Sequence, residues 1–198
     1  MEIKELKKEV ESLTNLSTEL KKFQENWIQP IRKNSNYHLP FIKELDENTK
    51  QRLQLKLTAL QPILNQINSS QVIQDKLKQY SRYLIELKLS TFNGDIEKSK
   101  VISHQVLNDD YLSLKQTLSD VKLLEASLNH LHQEYQEINQ MVSKNLTLED
   151  SLFFMDMPHQ KYLNNLLQTS KRQKELSQRI GTHLITMIKE TQLRKGGK

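Results

Sequence analysis

Apolar residues in the first 28 positions stand at Ile3, Leu6, Val10, Leu13, Leu16, Leu20, Phe23 and Trp27. The gaps run 3, 4, 3, 3, 4, 3, 4. Gaps of three and four place side chains on one face of a helix. The doubled three is a stammer in that seam. Pro30 is expected to close the helix, because proline offers no N–H and clashes with the preceding turn. A polar linker then runs to Pro40. Leu53, Leu57, Leu60, Leu64 and Ile67 predict a second helix, with Pro62 inside it marking a kink or short break. Ser69-Ser70 offers a cap for a third helix carrying Val72, Ile73, Leu77, Tyr80, Leu84 and Leu87. Asn93-Gly94 ends that helix and Asp95 can cap the next, a short piece from Ile96 to about Leu107. That piece either runs on or breaks at Asn108-Asp109.

The clearest seam follows at Tyr111, Leu114, Leu118, Val121, Leu124, Leu128, Leu131, Tyr135, Ile138 and Val142. A helix over 109–145 would be roughly 55 Å long. Its first seven gaps repeat those of the first seam. Duplication, matched packing of two helices and chance all produce such a match. A last helix is predicted over 159–193, with Tyr162, Leu166, Leu176, Ile180, Leu184 and Met187 on its seam. Polar Ser170 and Gln173 interrupt it, so its centre is expected to bridge solvent or to be covered only in an assembly.

Composition supports an all-helical reading. Gly and Pro number 4 each, so the turns that strands need are scarce. Hydrophobic residues make up 36% of the chain and the mean hydropathy is −0.69. Compact globules usually have about 45–50% apolar residues. The expected fold is therefore all-α, an elongated antiparallel helical bundle or coiled coil of about five helices. Its parts would be an N-terminal coiled-coil helix (1–28), a Pro-bounded linker (29–40) and a helical hairpin region (41–145) containing the long 109–145 helix. An apolar helix-turn segment (146–158), a basic helix (159–193) and a tail expected to be disordered (194–198) would follow. There is no cysteine, which excludes disulfides, thiolate nucleophiles and Cys-ligated metals. No signal-like apolar stretch opens the sequence, and no apolar run approaches the ~20 residues that span a bilayer. A cytoplasmic location is expected.

The charge is uneven. Net charge is +5, but 109–145 carries −3 and 146–198 carries +4, which predicts that these two stretches lie side by side. Lys171, Arg172, Lys174 and Arg179 form the best candidate anion-binding stretch, for nucleic acid or an acidic membrane surface. No aromatic residue interleaves with it, so base stacking is not supported. His130, Glu134 and Glu137 share a helix face at metal-ligand spacing, but that face lies off the apolar seam and reads as a solvated charged edge. Arg179 and His183 read as a polar helix edge. Four scattered glycines build no phosphate cradle. No catalytic set, metal or cofactor is expected, and no small-molecule substrate is indicated.

Residues 151–160, SLFFMDMPHQ, remain. Phe153, Phe154, Met155 and Met157 crowd together before Pro158. They either plug the end of the bundle, form a surface for a partner, or wedge into a membrane. Thr147 and Asp150 can cap a short helix here. Trp27, at the end of the first seam, and Tyr37, in the linker, are further candidate contact residues. The function expected is a non-enzymatic interaction or scaffold protein that binds protein partners or copies of itself. The alternative is a peripheral binder of membranes or nucleic acid through the basic last helix.

Overall fold

The computed structural model describes residues 2–32 and 45–193, the side chain of Arg32 excepted. Tyr37, most of the proline-bounded linker and the 194–198 tail lie outside the described residues. The fold is an all-α helical bundle, and the described residues contain no strand. In chain order the helices are α1 (Ile3–Glu11), α2 (Leu16–Phe23), α3 (Gln29–Arg32), α4 (Glu47–Ser69), α5 (Gln71–Phe92), α6 (Ile96–Gln105), α7 (Tyr111–Ser143), α8 (Leu148–Asp156) and α9 (His159–Leu193). Two π-helical turns, Gln24–Ile28 and Val106–Asp110, join α2 to α3 and α6 to α7.

The chain divides into two compact units. One comprises Met1–Leu13, Ser70–Leu123 and Lys171–Lys198; the other comprises Thr14–Ser69 and Leu124–Ser170. Each of α7 and α9 therefore contributes residues to both.

In the first unit, α1 packs on α5, and α5 on α6. Leu6, Val10, Ile73, Leu77, Tyr80 and Leu84 are buried there. The turn after α5 is dictated locally. Gly94 has φ +70°, a left-handed conformation that glycine adopts without a Cβ penalty. Gly94 N–H donates to Thr91 O (3.2 Å) and Asp95 N–H to Ser90 O (2.8 Å), which is the Schellman arrangement. The Asp95 side chain then caps α6 by accepting from Lys98 N–H. The Gln74 amide donates to Leu13 O at 3.0 Å and satisfies a carbonyl left open where α1 ends.

In the second unit, α2 packs on α4. Asn15 caps α2 by accepting from Thr18 N–H. Leu53, Leu57, Leu60, Leu64 and Ile67 of α4 are all buried.

Several expectations change. The first seam is broken between α1 and α2 at Ser12–Asn15. Pro30 does not stop the helix. It sits in α3, directly after a π turn whose shifted ladder carries Gln29 N–H back to Gln24 O. Nor does Pro62 break α4, which is helical throughout Glu47–Ser69. Burying an aliphatic side chain contributes about 1.5–3 kcal/mol. Five of them outweigh a proline cost of about 3 kcal/mol. Val72 is exposed, so the core face of α5 starts at Ile73. On α9 the buried line is Leu163, Leu166, Leu176, Ile180, Leu184 and Ile188, while Tyr162 and Met187 are only half-buried. The polar centre of α9 is not a solvent bridge: Gln173 and Ser177 are buried. No described helix is long and apolar enough to cross a membrane.

Candidate functional site

Helix α8 is short, and its ends are fixed by its sequence. Thr147 Oγ1 accepts from Asp150 N–H (3.2 Å) and donates to the Asp150 carboxylate (2.9 Å), a reciprocal cap. At the other end Met157 is extended (φ −64°, ψ 148°), the conformation that a following proline imposes. Pro158 stops α8 there, and α9 starts at His159.

The inner face of α8 is locked. Phe154 and His159 are fully buried, with ring centres 5.1 Å apart. His159 Nε2 lies 2.8 Å from Phe154 O and Nδ1 lies 2.6 Å from Tyr135 Oη. A carbonyl only accepts, so Nε2 carries the proton, and in the neutral ring Nδ1 accepts from the tyrosine hydroxyl. Burial holds the imidazole below the usual histidine range and raises the Tyr135 phenol. Trp27 packs against Tyr135 (4.9 Å) and Phe23 (5.1 Å), and its indole N–H donates to Asn139 Oδ1 at 2.9 Å. The result is an aromatic cluster with its polar atoms paired, lying beneath α8.

The outer face is open. Leu148 is 78% exposed, Leu152 62%, Phe153 60% and Met155 44%. At 100° per residue, Leu148, Leu152 and Met155 form one stripe, and Phe153 flanks it. Glu149 and Asp156 project between the stripe and Phe153; both are exposed. Adjacent exposed apolar side chains of this size mark interaction surfaces. Other exposed apolar residues exist, notably Leu89, Phe92 and Ile96 about the α5–α6 turn. They stand among charges of both signs, from Lys88 to Lys100.

The structure thus splits the residues singled out in the sequence. Phe153 and Met155 are on the surface, and Met157 is half-buried. Phe154 and Trp27, by contrast, are buried. Both are core, because one lies on the inward side of α8 and the other fills the aromatic cluster. Tyr37 lies outside the described residues. The missed residues are His159, Tyr135 and Asn139. A histidine directly after Met-Pro and a seam tyrosine were visible, but nothing in the sequence showed that 24 residues of separation would close to one hydrogen bond.

The basic stretch of α9 is less open than its sequence suggests. Lys171, Arg172 and Arg179 are exposed and Lys174 is half-buried. Arg179 is hydrogen-bonded and ion-paired to Glu9 of α1. Arg172 and Arg179 share a cleft of about 430 Å³ with Glu9 and Glu175, so acids alternate with the bases. His183 is held below the usual histidine range by burial and by the charges of Lys88 and Arg179.

His130, Glu134 and Glu137 stay together on α7, but Lys56 of α4 bridges the two carboxylates at 3.0 and 2.7 Å. That contact raises the lysine pKa and lowers that of Glu137. The described residues hold no group of acids and histidines able to bind a metal. No family model matches this chain, and neither a curated protein nor a solved structure is significantly similar to it.

Proposed function

We propose that this chain is a non-enzymatic interaction protein that holds a protein partner on the outer face of α8. One observation carries the reading: four large apolar side chains stay exposed on a helix whose opposite face is pinned by Phe154, His159 and Tyr135. A rigid support beneath an open apolar stripe lowers the ordering cost of binding. Met and Phe supply adaptable, area-rich contacts.

A photo-crosslinking residue at Met155, compared with one at Leu55, tests this in the source cells. Both positions are exposed, and Leu55 stands alone on α4. A discrete protein adduct from Met155 and none from Leu55 is the expected result. The same adducts from both positions, or none from Met155, would end the reading.

A further inference from the structure

The outer face of α8 differs from the other exposed apolar positions in its charge. Between Leu146 and Pro158 the chain carries Glu149, Asp150 and Asp156 and no basic residue. Asp150 is occupied in the Thr147 cap. Glu149 and Asp156 are exposed, and no cation pairs with either among the described residues. Two carboxylates of one sign are therefore set into an apolar surface, at its edge and not on the far side of the helix.

Resting on the reading above, we infer that the α8 face takes an amphipathic helix whose apolar stripe is flanked by lysine or arginine. The apolar half follows from Leu148, Leu152 and Met155, whose spacing suits helix-on-helix packing. The basic half follows from Glu149 and Asp156, which a cation at the rim would neutralise while gaining charge-assisted hydrogen bonds. The same two carboxylates disfavour other occupants. A second copy laying its own α8 on this one would bring acid against acid. An anionic bilayer would repel the face, since basic rather than acidic helices lie on such surfaces.

The test uses the full chain and two fluorescent helical peptides of about 20 residues, long enough to hold a helix alone. Both carry leucine at every third or fourth position; one has lysine at the flanking positions and the other glutamate. Fluorescence anisotropy is expected to show the lysine peptide binding at least tenfold more tightly than the glutamate peptide. Leu152→Asp with Met155→Asp should abolish that binding, with the helical circular dichroism unchanged because both side chains are exposed. Glu149→Gln with Asp156→Asn should remove the preference while leaving leucine-dependent binding.

Equal binding of the two peptides to the native chain, still lost in the Leu152/Met155 variant, overturns the basic-partner inference and leaves the docking surface standing. Binding of neither peptide, or binding indifferent to the Leu152/Met155 variant, overturns the inference; loss of the Met155 crosslink as well would overturn the surface reading beneath it. Light scattering showing a dimer that the Leu152/Met155 variant dissolves, or capture by phosphatidylserine vesicles, would assign the face to another occupant and also overturn the inference.

Discussion

Phe153 and Phe154 are neighbours in the chain and opposites in the structure. Phe154 joins Phe23, Trp27, Tyr135 and His159 in a cluster with no exposed ring and with its indole, phenol and imidazole groups hydrogen-bonded. Phe153 stands in solvent with Leu148, Leu152 and Met155. The residue types are similar on the two sides; what differs is closure. The buried indole, phenol and imidazole groups of this cluster come with partners, as burial demands, whereas the outer side offers apolar area and two carboxylates that no cation among the described residues pairs. Aromatic content alone therefore does not separate core from contact surface, but position about the helix axis does.

The comparison breaks hardest at Trp27. Trp27→Ala leaves a large cavity beside Phe23, Tyr135 and Asn139, and should cost about 3–5 kcal/mol in urea unfolding. A cost near that of a surface substitution would mean that the cluster is not core. Next comes the polar pairing inside it. Asn139→Leu strands the indole N–H and should cost about 1–3 kcal/mol. Trp27→Phe should cost less in that variant than in the native protein, since it removes the stranded indole donor along with the ring. Simple additivity of the two substitutions would show that the Trp27–Asn139 bond carries nothing.

The smallest effect concerns pH. The folded state holds His159 neutral below the usual histidine pKa, so the unfolded chain takes up the proton first. Stability contributed by this group is complete above about pH 6.5 and is lost as pH falls below it. His183 is shifted in the same direction, so the readout is a difference. His159→Gln should flatten the decline in stability below pH 6.5 without removing it, in urea titrations at stepped pH. Identical slopes in the two proteins would exclude the buried, neutral His159.

Much of this architecture was legible in the sequence. The α4 seam, the α7 seam from Val121 to Val142, the Asp95 and Thr147 caps and both ends of α9 follow from spacing and capping chemistry alone. The two matched seams show where spacing stops informing. Both have a stammer, at Val10–Leu13–Leu16 and at Leu118–Val121–Leu124. The first coincides with a chain break, since Ser12 Oγ donates back to Glu9 O and Asn15 starts a new helix. The second lies inside an unbroken α7 even though Ser119 and Asp120 stand within it. What separates the two is the bonding of Ser12 and Asn15 to the backbone at the first, not the gaps and not the presence of short polar residues. The site was half legible. The run of apolar residues before Pro158 marked the place, but which phenylalanine turns inward depends on a tertiary contact, the His159 bridge from α8 to α7.

The two-faced character of α8 is tested most directly by urea unfolding of Phe153→Asp beside Phe154→Asp. The first should remain folded, with stability within about 0.5 kcal/mol of the native protein, as exposed positions tolerate. The second should lose several kcal/mol or fail to fold, because it removes a fully buried ring and puts a carboxylate into the aromatic cluster. Unfolding of the Phe153→Asp protein would contradict the account, since the outer face would then be part of the core and have nothing free to offer a partner.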